Sequence, residues 1–296
     1  MPCLDRRLPS LLPILLALAL FGGCDSYEPD PPDVRRVDRF PAWSPSGDRI
    51  TYLHAAGPTK DTTDVTGLYI LDLETDSTWL VAEGLVTSPD WRPDGERIAF
   101  AAGDIFTIRP DGSDLRRASE FGSSFNPHWS PDGKTISFGR SGTTEEVGIW
   151  FGYLPDSTFT KFGFGATPAD WSPRGHRIVY NFQDQLWTAD TSRTDSTQLI
   201  SNEFVNNRDP AWSPNGEWIA WAPITDDGSE IWVMRSDGTE QQKLIDRGRE
   251  PAWGPNSERI VFSRPASDSD YTALWTIRRD GSDLRQITNP SRNPLN

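Results

Sequence analysis

Pro127-His128-Trp129-Ser130-Pro131-Asp132-Gly133-Lys134-Thr135-Ile136-Ser137-Phe138 is the stretch whose reading decides the fold. Its skeleton returns around Trp43, Trp91, Trp171, Trp212 and Trp253, so that six tryptophans follow one another at spacings of 48, 38, 42, 41 and 41 residues. Self-similarity at about 40 to 45 residues is the mark of a propeller blade made of four short strands. The segment ending at each Trp reads as a first strand, and Ser-Pro-Asp-Gly as the turn after it. Pro presets φ at the second turn position, Asp or Asn is a usual turn former, and Gly tolerates φ > 0 at the fourth. The copies keep this chemistry as Ser44-Pro45-Ser46-Gly47, Arg92-Pro93-Asp94-Gly95, Ser172-Pro173-Arg174-Gly175 and Ser213-Pro214-Asn215-Gly216. Gly254-Pro255-Asn256-Ser257 has lost the last Gly and is the weakest copy.

A second strand with period-2 alternation follows each turn. Ile50/Tyr52, Ile98/Phe100, Ile136/Phe138, Ile178/Tyr180, Ile219/Trp221 and Ile260/Phe262 set a branched and an aromatic residue on one face. Third strands follow at segments such as Leu68-Tyr69-Ile70 and Ile231-Trp232-Val233. Asp111-Gly112, Asp237-Gly238 and Asp280-Gly281 then signal hairpins into fourth strands. No such blade buries both of its faces alone, whereas a radial array buries each face against a neighbour. The expected fold is all-β: a six-bladed β-propeller over residues 39–290, four antiparallel strands per blade, with 291–296 as a tail. The Trp, Ile and aromatic positions are read as packing, not as ligand contacts.

The phrase P-x-W-S-P-D-G-K-x-I-x-F resembles the repeat of TolB-type propellers, the PD40 repeat, and the resemblance covers Phe40 to Thr288. In that superfamily the propeller is a protein-binding module, as in TolB, or the gating domain of an oligopeptidase, so the resemblance implies fold more firmly than task. TolB carries an α/β domain before its propeller, and peptidase relatives carry a hydrolase domain after it. Here a short linker precedes the first copy and no Gly-x-Ser-x-Gly elbow is found, so a TolB-like form without the N-terminal domain is expected.

Residues 1–23 read as an export signal: Arg6 and Arg7, an apolar run from Leu11 to Phe21, then Gly22-Gly23-Cys24. The run is too short to span a bilayer as a helix. Small residues before a Cys resemble a bacterial lipoprotein cleavage box, which makes Cys24 the expected lipid attachment site. Only Cys3 and Cys24 occur, so no disulfide is expected once the signal is removed. Residues 24–38, with Glu28-Pro29-Asp30-Pro31-Pro32-Asp33, read as an acidic, Pro-rich tether. The expected location is an exported protein anchored to a bacterial membrane, facing the periplasm or the cell surface. Val34-Arg35-Arg36-Val37 resembles a fourth strand and either joins the last blade or leads into the first.

The net charge of −14 without a basic stripe argues against nucleic acid as a partner. His54, His128 and His176 fall in different copies with no paired spacing, so no metal site and no cofactor is expected. TolB-like propeller lyases, by resemblance, gather several His around a metal, and this chain lacks such a set. Asp226-Asp227-Gly228 and Asp268-Ser269-Asp270 do not continue into a calcium loop and read as polar loops between second and third strands.

The variable positions lie just before the repeated Trp, where first strands approach a channel mouth. Asp90, His128 and Asp170 stand one residue before their Trp; Phe40, Asp209 and Glu250 stand three before theirs, on the same face by period 2. Four acids and a His around one rim suit a cation or a basic peptide segment; the plainer alternative is solvated surface charge. Pro168 to Trp171 holds one extra residue, which re-aims Asp170. The leading expectation is a non-catalytic scaffold that binds envelope proteins. Behind it stand a hydrolase or lyase acting in the channel, and a sugar- or cation-binding sensor.

Overall fold

The computed structural model describes residues 36–56, 65–163, 169–201, 206–266, 271–289 and Pro294. The expected signal segment, Cys24, the tether up to residue 35, Pro168, Asp268-Ser269-Asp270 and most of the tail lie outside the described residues. The first copy folds as β1 (Val37–Trp43), β2 (Arg49–Ala55), β3 (Gly67–Asp72) and β4 (Thr78–Glu83). The next gives β5 (Thr87–Trp91), β6 (Ile98–Ala101), β7 (Ile105–Ile108) and β8 (Arg116–Arg117). Then come β9 (Ser124–Trp129), β10 (Thr135–Arg140), β11 (Gly148–Tyr153) and β12 (Thr158–Gly163), followed by β13 (Asp170–Trp171), β14 (Arg177–Phe182), β15 (Gln185–Asp190) and β16 (Ser196–Gln198). The last two copies are β17 (Asn206–Trp212), β18 (Trp218–Thr225), β19 (Gly228–Arg235) and β20 (Gln242–Asp246), then β21 (Arg249–Trp253), β22 (Arg259–Pro265), β23 (Thr272–Arg278) and β24 (Arg285–Gln286).

The architecture is an all-β propeller with blades of four antiparallel strands in meander order. Four copies form separate four-stranded sheets; the strands β1–β4 and β21–β24 belong to one eight-stranded sheet, joined by a single parallel pair, Val37 with Thr272. The Thr272 amide also donates to the Arg36 carbonyl at 3.3 Å. The segment ahead of Phe40 thus does both things the sequence allowed: Val37 touches β23 of the last copy and continues into β1 of the first. Val37 and Asp38 are strand residues and not tether. Asp38 is buried and meets the buried His54 Nδ1 at 2.6 Å.

The repeated phrase explains itself in hydrogen bonds. In every copy the repeated Trp lies opposite the repeated Ile: Trp43 and Ile50, Trp91 and Ile98, Trp129 and Ile136, Trp171 and Ile178, Trp212 and Ile219, Trp253 and Ile260. Between them the fourth turn residue donates its amide to the first residue's carbonyl, at 2.8 Å for Gly133 to Ser130. The Ser130 hydroxyl accepts the Thr135 amide at 2.9 Å, and Asp132 accepts the Ser130 hydroxyl at 2.6 Å and the Lys134 amide at 3.0 Å. The weakest copy keeps the turn without Gly: Ser257 adopts φ +61 and bonds Gly254 at 2.9 Å. The Asp226-Asp227 pair lies in the turn between β18 and β19.

The core sits between consecutive copies. Trp129 and Ile136 pack with Ala99, Ala101 and Ile105 of the copy before. Trp253, Ile260 and Phe262 pack with Trp218, Ile231 and Val233. At the closing seam Ile50, Tyr52 and Tyr69 pack with Val261 and Leu274, the last copy against the first. First strands touch in cyclic order: β1 with β5, β5 with β9, β9 with β13, β13 with β17, β17 with β21, and β21 with β1. Ile260, fully buried in such an interface, is a sensitive probe of it. Ile260→Ala should cost about 2–5 kcal/mol by lost burial plus a cavity, read as a lower denaturant midpoint at unchanged slope; a loss below about 1 kcal/mol would contradict the packing described.

Candidate functional site

All six sequence-derived rim residues line one cavity. Phe40, Asp90, His128, Asp170, Asp209 and Glu250 face it together, with Ser88 and Asn126 beside them. It lies at the C-terminal ends of the first strands and encloses about 210 Å³. That is below the roughly 300–1,000 Å³ of drug-sized ligand sites, room for a side chain more than for a whole small molecule.

The backbone gathers these residues by a means that strict alternation does not supply. The position three before the Trp has positive φ in five copies: Phe40 (54°), Ser88 (50°), Asn126 (48°), Asp209 (50°) and Glu250 (56°). Each precedes a Pro, namely Pro41, Pro89, Pro127, Pro210 and Pro251. A break in strand register, a β-bulge, falls at this point in the β1, β5, β17 and β21 pairings, as between Arg39 and Ala42. A bulge adds one residue and re-aims the chain, and across it positions one and three before the Trp line the same cavity. Left-handed φ at a non-Gly residue costs about 1 kcal/mol or more and clusters where a site is held in shape. Five such residues around one cavity are the strongest local signal in the chain. Ser88 and Asn126, whose side chains hydrogen-bond each other, share the cavity with the expected residues. Their position was legible, but their lack of charge drew no attention.

The acids hold neighbouring copies together. Asp90 Oδ2 accepts the Trp129 amide at 2.6 Å, and Asp170 Oδ2 accepts the Trp212 amide. Glu250 Oε2 accepts the Phe40 amide at 2.9 Å and the Ser263 hydroxyl at 2.8 Å, while its other oxygen pairs with Arg39. Each clip ties the first strand of one copy to that of the next, the last-to-first seam included. Asp170 Oδ1 also stands 3.7 Å from His128 Nδ1. Asp209 is bonded in the same way to the Glu250 amide of the next copy. Of the other histidines, His54 is buried against Asp38 and His176 is exposed; neither lines the cavity. Among the described residues no three His, Cys, Asp or Glu side chains are grouped as metal ligands would be.

Burial raises Asp90, Asp170 and Asp209 above their ordinary value. Asp90 is pushed up to about 6 by desolvation, opposed by His128 and the Trp129 amide. Asp209 is pushed up to about 6 by desolvation and then by the charge of Glu250. Asp170 is also raised, again by burial. At neutral pH Asp90 and Asp209 are mostly ionised in a place that disfavours ionisation, so the cavity holds negative charge that a cation would relieve.

The sequence profile described as the TolB beta propeller domain, PD40, matches residues 36–257. No curated protein resembles the chain closely enough to count as a match. Among solved structures, a TolB from Agrobacterium tumefaciens shares 20% identity at a TM-score of 0.66, covering 74% of this chain and 87% of that one. TolB from Acinetobacter baumannii shares 17% at 0.66, covering 82% of this chain and 61% of that one, so this chain spans less than two thirds of it. An oligogalacturonate lyase in complex with manganese shares 11% at 0.59, covering 88% and 79%. At these identities the likenesses speak for the fold.

The raised acids fix a pH signature. The folded pKa of Asp90 and Asp209 stands above the unfolded value near 3.9. Their contribution to stability is therefore fully present below about pH 4 and lost as pH rises through about 6. Asp90→Asn/Asp209→Asn should melt a few degrees above the native chain at pH 7.5, and that margin should shrink at pH 5. A margin equal at both pH values would refute the raised acids.

Proposed function

Because the chain belongs to the TolB β-propeller family, we propose that it is a non-catalytic protein-binding module of the bacterial cell envelope. Its channel-mouth cavity would take a basic segment of an envelope protein. The observation that carries this reading is the convergence of five left-handed backbone positions and four acids on one small cavity. A protein keeps strained backbone and desolvated charge where function demands them. A Lys or Arg side chain supplies the missing cation, and a cavity of this size admits one.

In the finer reading the propeller has six blades, one per Trp repeat, and the cyclic contacts of the first strands support it. Residues 1–23 would be a lipoprotein signal and Cys24 the lipidated N-terminus, placing the propeller at a membrane on a short acidic tether; the Gly22-Gly23-Cys24 box supports this. A second reading, a lyase or hydrolase, has one observation in its favour. Asp90, with a pKa of about 6, lies in the cavity that also holds the His128–Asp170 pair, a setting for proton transfer. The likeness to an oligogalacturonate lyase is compatible with it.

The test is a cross-linked capture of the full chain from native membranes, beside Asp209→Asn/His128→Gln. Asn keeps an oxygen that can accept the Glu250 amide bonded to Asp209, and the His128 ring stands 3.7 Å from Asp170, beyond a hydrogen bond, so the melting temperature should stay within a few degrees. A stoichiometric partner with a basic segment, weakened roughly tenfold or more by the double change, is expected. A partner held equally by both forms would move the site elsewhere. Turnover of an oligogalacturonate that is abolished by Asp90→Asn would establish the enzyme reading instead.

A further inference from the structure

A second cavity runs against the character of the chain. It opens at the opposite, N-terminal ends of β1 and β21 and is lined by Arg39, Arg247, Arg249 and Arg264 with Ser229 and Gly228. The guanidinia come from the first and last copies and meet Ser229 of the fifth. The chain carries 43 acidic and 29 basic side chains, so an arginine should find a carboxylate easily. Several elsewhere do: Arg97 with Asp114 at 2.7 Å, Arg140 with Glu146 at 2.7 Å, Arg177 with Asp195 at 2.7 Å. Arg247, Arg249 and Arg264 make no ion pair among the described residues.

Their contacts are neutral. Arg249 Nε donates to Ser229 Oγ at 3.0 Å, and the Arg264 guanidinium lies 5.3 Å from the centre of the Trp275 ring. Arg264 is half-buried, and burial together with the neighbouring charge of Arg247 pulls its pKa below the usual arginine value. Asp246, the acid that acts on it from outside the cavity, is held by Lys243 at 2.9 Å. Asp227 is the carboxylate in the lining and is exposed. Like charges have thus been brought together with less than their neutralising charge. Guanidinium forks match the oxygens of phosphate and carboxylate, and hydrogen bonds to such ions are among the strong ones.

We propose that this cavity is an anion site that takes a soluble ligand bearing a phosphate group. Three guanidinia without carboxylate partners call for more than the single charge of a carboxylate, which favours the dianion. The net charge of −14 repels an anionic bilayer, which favours a soluble source over a lipid headgroup. Arg39 borders this cavity while its partner Glu250 borders the other, so the two sites share one ion pair.

The experiment titrates the full chain with sodium phosphate against sodium chloride of equal ionic strength, by calorimetry and by melting temperature. Phosphate should bind and raise the melting temperature by mass action, and chloride should not. Arg247→Gln/Arg249→Gln, both exposed positions, should weaken phosphate binding about tenfold or more while melting normally in chloride. Ser229→Glu, which places a carboxylate in the cavity, should do the same by an independent route. No phosphate response in the native chain, or an equal response in both variants, would overturn the proposal. Recruitment to phosphatidylglycerol vesicles without binding of free phosphate would overturn the soluble source in favour of a headgroup.

Discussion

A four-stranded antiparallel sheet with two apolar faces cannot stand alone in water, and the rest of this structure follows from how that constraint is met. Each face is buried against the next copy of the repeat. The Trp that ends a first strand, locked opposite an Ile in register, is the wedge that does it: Trp91 enters the side of Leu68 and Ile70, and Trp253 the side of Ile231 and Val233. Hydrogen bonds run along the same joints. The Trp171 indole donates to the His128 carbonyl at 3.2 Å and the Trp253 indole to the Ala211 carbonyl at 3.0 Å. Because the wedges act near the inner ends of the sheets, they also draw the first strands together around one cavity.

The parts of the fold set by local chemistry were readable from the chain. Trp-to-Ile pairing and the turn between them depend on a dozen contiguous residues, so every copy declares them. Even Ser257, which lacks the expected Gly, is explained by the same turn, since it takes the left-handed φ itself. The outer strands were less legible: the Asp-Gly turns announce them but not their extent, and β8 and β24 are only two residues long. An edge strand facing solvent has little burial to fix its ends. At the rim the six expected residues do line one cavity, for a reason that alternation gives only in part. Alternation would carry Asp209 and Glu250 to the cavity in a flat strand; here a bulge with φ > 0 before Pro210 and Pro251 does so. The Arg cavity was invisible for a plainer reason. Arg39 and Arg249 share a repeat position, each four before its Trp, but Arg247 and Arg264 have no such relation to them and meet them only through the fold.

The rim acids now have two accounts that need not compete. Asp90, Asp170 and Glu250 each accept a backbone amide from the next copy, a structural task that an uncharged Asn or Gln could perform nearly as well. What a neutral acceptor cannot do is hold charge in the cavity at neutral pH. Burial makes that charge unfavourable at Asp90 and at Asp209 alike. A carboxylate has lone pairs left after accepting one amide, so the clips position the acids without consuming them. Structural need therefore explains where the carboxyl groups are, and the charge they keep there is what the proposed basic segment would meet.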